Sequence, residues 1–290
     1  MRRLTFTNAN GVAVVFGPPP ASYVIESLDG IGTPGFSKQV QRGPGQDGES
    51  YIDGTLDPRE ITVSGALVKQ LLPDIYPLRA SLNSALNPKL GPGNLLFEYD
   101  GGSKKIAAIP DGAPLFSEKG SDLWQKYQVA FYCPDPLWQD VTGIQTTVGL
   151  VQALFKFPWR SPQGVGFAGS ERLSDKARTV TLAGDVSAPI IATFWGPATN
   201  PTILNQTTGE FIHILATLGD GESMVINTAY GNKSVTLNRG SLSSNGLQYL
   251  DINSTFWQLQ PGANVITFYD DTGSLAPRCD IAASPRYLGV

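Results

Sequence analysis

Few residues in this 290-residue chain could do chemistry, and they are scattered. His213 is the only histidine, and Cys133 and Cys279 are the only cysteines. A hydrolytic triad would need His213 as its base, but the Gly-x-Ser-x-Gly turn that presents a nucleophilic serine is missing. One imidazole and two distant thiols are too few for a tetrahedral zinc site. His213 sits in Phe211-Ile-His-Ile-Leu215, opposite the apolar face of Ile212 and Ile214, and is expected as a partly exposed strand residue. The two cysteines form no disulfide framework; free buried thiols made in a reducing cytoplasm are expected, with a single bridge left open by the spacing. Asp47, Glu49, Asp53 and Asp57 are the densest acidic run. Carboxylates suit calcium, but the spacing is not that of an EF-hand loop, and Asp/Gly-rich loops are ordinarily solvated turns. Paired carboxylates for glycoside hydrolysis are defined by a spatial separation, and no pair here sits in a motif. Trp195, Tyr230, Tyr249, Trp257 and Tyr269 could stack on sugar rings, although strand aromatics more often fill cores. The chain is therefore expected to be no enzyme, with no catalytic residue, metal or cofactor, and its carbohydrate-binding residues are unassigned.

Composition bounds the rest. Hydrophobic residues make up 41%, enough for a packed core, whereas charged residues make up only 16%. A charge-poor surface is easily buried against partner subunits; it equally fits outward strand faces rich in Ser, Thr and Asn. The net charge of −4 and the lack of a basic tract exclude nucleic-acid binding as the main activity. No apolar run reaches membrane-spanning length, so no membrane insertion is expected, and Met1-Arg-Arg-Leu-Thr-Phe-Thr7 lacks a signal-peptide core.

The 32 glycines and 22 prolines are spread along the chain, which punctuates it into short strands. Leu4–Thr7 and Val12–Phe16 flank Asn8-Ala-Asn-Gly11 and predict a hairpin. Pro18-Pro-Pro20 ends that pairing, and Ser22 to Ser27 predicts another strand. A long glycine-rich loop from Gly32 runs into Asp57-Pro-Arg-Glu60, after which Ile61, Val63 and Leu67 alternate with Thr62 and Ser64 as a half-buried strand. One helix is predicted from Pro73 to Leu86, through Ile75, Leu78, Leu82 and Leu86, and Asn87-Pro88 stops it. Leu95–Tyr99 with Lys104–Ile109 gives a second hairpin, and Trp124 to Tyr132 a further strand. Cys133-Pro-Asp-Pro136 is the natural boundary between domains 1–139 and 140–290. Beyond it only strands are predicted: Phe211–Leu218 with Ile212, Ile214, Ala216 and Leu218 on one face, then Val235 and Leu237, then Trp257 and Leu259 alternating with Gln258 and Gln260, and Val265–Phe268 after a turn at Pro261–Asn264. This is the pattern of an antiparallel sandwich.

The segment Gly32–Val68, with its glycine-rich loop and Asp57-Pro-Arg-Glu-Ile61 strand start, resembles the Dit-like distal tail proteins of long-tailed, non-contractile bacteriophages. Further segments resemble the same family in family order: Tyr76–Arg79, Leu86–Phe97, Val129–Trp138, Pro201–Glu210, and Gly221–Thr228 with Gly231–Val235. Val151 to Arg178 does not carry the resemblance.

The resemblance implies a mainly β subunit, with an N-terminal β-barrel-like domain carrying one helix (1–139) and a C-terminal galectin-like β-sandwich (140–290). It implies a virion structural protein at the distal end of the tail, assembled in the host cytoplasm. Six copies would form a ring, a baseplate hub that meets the tail tube protein, a tail-tip protein and a receptor-binding protein, with DNA passing through without sequence-specific contact. The competing class is a carbohydrate-binding sandwich adhesin. Galectins hold sugar with a histidine, arginines, asparagines and a stacking tryptophan; here Leu215 and Thr217 stand two and four residues after His213, where Asn and Arg would be needed. The sandwich is expected to bind protein rather than sugar.

Overall fold

The computed structural model describes residues 2–68, 75–121, 124–149, 151–153, 170–172, 177–271 and 278–290. Two compact units account for the chain: Met1–Val141 with Tyr287–Val290, and Thr142–Arg286.

The first unit is built on a ten-stranded sheet. Gly102–Pro110, Gly93–Tyr99, Arg3–Thr7, Ala13–Gly17, Tyr23–Asp29, Arg59–Val68 and Trp124–Cys133 lie side by side in that order. The last then pairs with the first through Phe131↔Pro110 and Tyr132↔Ile109, which closes the sheet into a barrel. Arg59–Val68 shows why: its burial alternates strictly, with Arg59, Ile61, Val63, Gly65 and Leu67 inward. Leu4, Phe6, Phe16, Leu95, Phe97 and Phe131 complete the interior, and Phe6 and Phe131 meet at 5.1 Å between ring centres. Both predicted hairpins are present, Arg3–Thr7 with Ala13–Gly17 and Gly93–Tyr99 with Gly102–Pro110. The triple proline ends Ala13–Gly17, but Tyr23–Asp29 then rejoins it in parallel, over Phe16↔Tyr23 and Gly17↔Val24.

The one α-helix among the described residues is Tyr76–Ala85, with Pro77 in its first turn, where a missing N–H costs nothing. The predicted start at Pro73 lies outside the described residues. Leu78, Leu82 and Ala85 enter the barrel core. Two hydrogen bonds pin the helix: the Asn8 Nδ2 donates to Ala85 O at 3.1 Å, and the Tyr23 hydroxyl to Leu78 O at 3.1 Å.

Gly32–Asp57 departs from expectation. It is not a loop but an antiparallel ribbon, Phe36–Gln41 paired with Ser50–Leu56. Hydrophobic periodicity reports burial, and here it has nothing to report: most side chains on both strands are exposed.

The second unit is a sandwich of antiparallel sheets. The larger has Ile144–Gly149, Arg278–Ala283, Ala188–Trp195, Glu222–Asn227, Ser234–Arg239 and Leu242–Asn245 in that order. The smaller has Ala177–Leu182, Gly262–Tyr269, Thr202–Asn205 and Glu210–His213. Their inner faces share one core, in which Phe194 of the larger sheet lies 6.0 Å from Phe268 of the smaller. Trp257 and Leu259 are buried as their alternation with glutamines required. Buried Asn264 closes the turn before its own strand: its Nδ2 donates to Gln260 O at 2.8 Å and its Oδ1 accepts from Gln260 N at 3.0 Å.

The predicted strand Phe211–Leu218 is divided into Glu210–His213 and Thr217–Leu218. Its apolar face is correct, with Ile212, Ile214 and Leu218 all buried. The ladder breaks because the backbone changes partner: Leu215 N bonds Tyr249 O at 2.7 Å, and Thr217–Leu218 pairs with Ala198–Thr199. Among the described residues no helix is long and apolar enough to cross a membrane.

Each unit has its own core, so residues 142–286 expressed alone are expected to unfold in one cooperative transition with denaturant. A product that is only aggregated, or that melts without cooperativity, would show that this unit needs the rest of the chain.

Candidate interaction surface

The ribbon Phe36–Leu56 is amphipathic, with its apolar face turned to solvent. Directly paired residues share a face, so the register Phe36↔Leu56, Lys38↔Gly54 and Val40↔Tyr51 sets Phe36, Val40, Leu56 and Tyr51 together, with Lys38 as the one charged residue among them. Ile52 is the extra residue where the register shifts between Gln39 and Val40. The opposite face holds Ser37, Gln39, Asp53 and Thr55. Tyr51 is 61% exposed, Ile52 59%, Phe36 45% and Val40 43%. The Phe36 ring lies over Gly54, where any Cβ would stand 2.2 Å from a ring carbon. Among the described residues no further strand pairs with either edge of the ribbon; a two-stranded hairpin is marginal in water by itself, and an exposed apolar ribbon of this kind is a template for another chain.

The root of the ribbon is rigid, and Arg59 makes it so. This side chain is buried, and its donors go to backbone carbonyls from distant parts of the unit. Nε donates to Pro136 O at 2.8 Å, Nη1 to Gly30 O at 2.6 Å and to Gly32 O, and Nη2 to Leu288 O at 2.6 Å. The guanidinium also faces the Trp138 ring at 5.8 Å. Burial pulls its pKa below the ordinary arginine value, but an arginine stays charged. Gly30 is required here: its φ is +83°, and a Cβ would lie 1.9 Å from Glu60 O. Asp57 finishes the root, accepting from the Ser37 hydroxyl at 2.6 Å while its own N–H donates to Gly35 O at 2.9 Å. The C-terminus is tied in by Val290 N donating to Ile31 O at 3.2 Å. Beside it the Tyr287 hydroxyl donates to Asp140 at 2.8 Å, and Asp140 also pairs with Lys104.

The residues singled out by type are not brought together. Asp47 and Glu49 stand at the ribbon tip, Asp53 lies on its second strand, and Asp57 follows that strand at the root. Among the described residues no group of three or more His, Cys, Asp or Glu is placed to hold a metal. His213 is half-buried on a strand; its Nδ1 lies 2.5 Å from the Thr202 hydroxyl, and its backbone N–H donates to the Ser254 hydroxyl. Of the aromatics, Trp257 is core, Tyr249 packs against the core, Tyr269 is partly exposed and Tyr230 is 79% exposed beside Lys233. Trp195 lies on the outer face of the larger sheet, bonded to Asp280.

Both cysteines are free and buried. Burial pushes the Cys133 thiol up to about 12 from an ordinary value of 9.0, with Arg59 pulling the other way. Cys279 is raised too, by burial and by Asp280.

Residues 21–133 match the family described as phage tail protein RIFT-related domain, and residues 183–287 match the siphovirus-type tail component, C-terminal domain. No curated protein matches. Among solved structures the chain is similar to the SPP1 Dit protein, described as a paradigm of hub adsorption apparatus in Gram-positive infecting phages, at 13% identity over 99% of both chains with a TM-score of 0.68. It is also similar, at 10% identity over 100% of both chains and a TM-score of 0.58, to a chain of the phage P2 baseplate in its activated conformation with Ca.

Arg59→Met leaves buried carbonyls without donors and is expected to destabilise the first unit by about 3 kcal/mol or more, at roughly 1–3 kcal/mol for each buried group left unsatisfied, measured by urea denaturation, and to open the C-terminal residues to carboxypeptidase. A loss below about 1 kcal/mol, the size of one ordinary hydrogen bond, with the C-terminus still resistant, would show that Arg59 is dispensable.

The raised thiols have a sign. A thiol that is harder to ionise folded than unfolded costs nothing below the unfolded pKa, and its contribution is lost as pH rises from 9.0 towards about 12 for Cys133. Stability is expected to fall across that window. At pH 8 neither thiol should react with Ellman's reagent until denaturant is added; rapid reaction of the native protein would contradict the burial.

Proposed function

We propose a function from the premise that this chain belongs to the Dit-like distal tail proteins of siphophages. It is a structural component of the virion, a distal tail and baseplate hub protein, and the match of two family domains in order carries that statement. Our finer reading is that copies of the first unit join into a six-membered ring through the ribbon Phe36–Leu56. The exposed apolar face of Phe36, Val40 and Tyr51 supports it, because a rigidly rooted ribbon that cannot bury this face on its own unit needs another chain. A protruding element and the surface that receives it differ, so the contact is head-to-tail, and such contacts close into rings when the rotation allows.

In this reading the ring surrounds a channel through which DNA passes without sequence-specific binding, in keeping with the net charge of −4. The tail tube protein would sit on one side, a tail-tip protein on the other, and the second unit would hold a receptor-binding protein. The family's role is structural, and we assign the chain no reaction. Domains 1–139 and 140–290, the last four residues of which return to the first unit, would divide this labour, ring formation to the first and partner binding to the second.

A full chain carrying Phe36→Ser, Val40→Ser and Tyr51→Ser is expected to stay monomeric by light scattering and native mass where the wild type assembles. Each of these side chains, fully buried, contributes roughly 1.5–3 kcal/mol, so association should weaken about a thousandfold or more. The circular dichroism should be unchanged. Assembly of the variant at wild-type concentrations would remove the ribbon from the interface.

A further inference from the structure

The larger sheet of the second unit has one face in the core and one in solvent. Cross-strand register sets the solvent face residue by residue. One row runs Thr147, Asp280, Thr193 and Val225; a neighbouring row runs Gln145, Ala282, Ile191 and Asn227; a third holds Arg278 and Trp195. Hydroxyl, carboxamide and carboxylate groups predominate. Thr147, Asp280 and Thr193 of the first row and Gln145, Ala282 and Ile191 of the second line a groove of about 540 Å³.

Asp280 is the organised centre of this face. The Thr147 hydroxyl donates to one carboxylate oxygen at 2.6 Å and the Trp195 indole N–H to the other at 2.7 Å. The Arg278 guanidinium covers the Trp195 ring at 5.2 Å, with its Nε 3.8 Å from Asp280. These contacts hold the carboxylate in one orientation while each oxygen keeps a lone pair for another donor. Beside it Ile191 is 46% exposed, an apolar patch set among polar groups.

We propose that this groove binds a neutral saccharide, with Asp280, Thr193 and Gln145 meeting its hydroxyls and Ile191 meeting its C–H face. Vicinal hydroxyls both donate and accept, and the groove answers with a fixed acceptor, a hydroxyl and a carboxamide. A pre-oriented carboxylate loses little freedom on binding. An anionic ligand is disfavoured by the central carboxylate. The centre of a protein interface is depleted in charge and rich in large apolar side chains, whereas this groove offers one isoleucine around an aspartate. The expectation that the sandwich takes no sugar rests on His213, which lies on the other sheet. The site does not depend on ring formation.

The full chain would be screened on an array of neutral hexose and N-acetylhexosamine oligosaccharides printed beside uronic-acid and phosphorylated glycans. Saturation-transfer NMR with the same free neutral oligosaccharides at millimolar concentration would read weak monovalent binding. The expected result is binding of a neutral glycan that its free form competes away. Asp280→Ala and the shape-conserving Thr193→Val should each weaken it at least tenfold, with His213→Ala without effect. Binding confined to charged glycans, binding indifferent to Thr193→Val, or no saturation transfer from any neutral oligosaccharide would each overturn the proposal. A protein seated on this face, blocked by the same substitutions and with no glycan bound, would overturn it too.

Discussion

A buried guanidinium must find acceptors for its donors, and this constraint organises the first unit. Arg59 answers it with four carbonyl contacts, from Gly30, Gly32, Pro136 and Leu288. Charge-assisted bonds to neutral carbonyls are stronger than ordinary ones, and leaving any of them unmade in the interior is costly. Segments remote in sequence thereby have to meet at one point: the entry to the ribbon, the stretch after the last long barrel strand, and the chain end.

The ribbon therefore protrudes from a fixed base. Gly30 allows the backbone to pass against Glu60, Asp57 ties the ribbon's exit to Ser37 and Gly35, and the last residues are held beside Ile31. A ribbon anchored this way gives up less freedom on meeting a partner than a free loop would. In the function proposed above, this is what a hub offers: a rigid barrel with an apolar surface left for a partner. The sandwich of the second unit has a separate core and a different kind of surface, polar and centred on a single oriented carboxylate.

Much of this is legible in the sequence, for reasons visible residue by residue. Ile61, Val63 and Leu67 are buried on either side of small polar residues, so the alternation is written in the residue types. The helix declares itself through Leu78 and Leu82, and the sandwich through Trp257 and Leu259. The ribbon does not, because Phe36, Val40, Tyr51 and Ile52 face solvent and no periodicity marks a strand without a core. Nor does the break at Leu215, which depends on a carbonyl from Tyr249. Arg59 stands out within Asp57-Pro-Arg-Glu60, but its role rests on carbonyls from residues as distant as Leu288, which carry no side-chain signal. Trp195 has the residue type for sugar stacking; that Asp280 and Thr147 stand beside it is a matter of register alone.

In the proposed ring the ribbon is covered by another copy of this chain. Hydrogen exchange of residues 36–56, measured at protein concentrations below and above assembly, tests it most directly. These amides are expected to exchange quickly in the dilute protein and to become protected in the assembled one, while the amides of Arg59–Val68 are protected throughout. Assembled particles in which the ribbon exchanges as fast as in the dilute protein would contradict it.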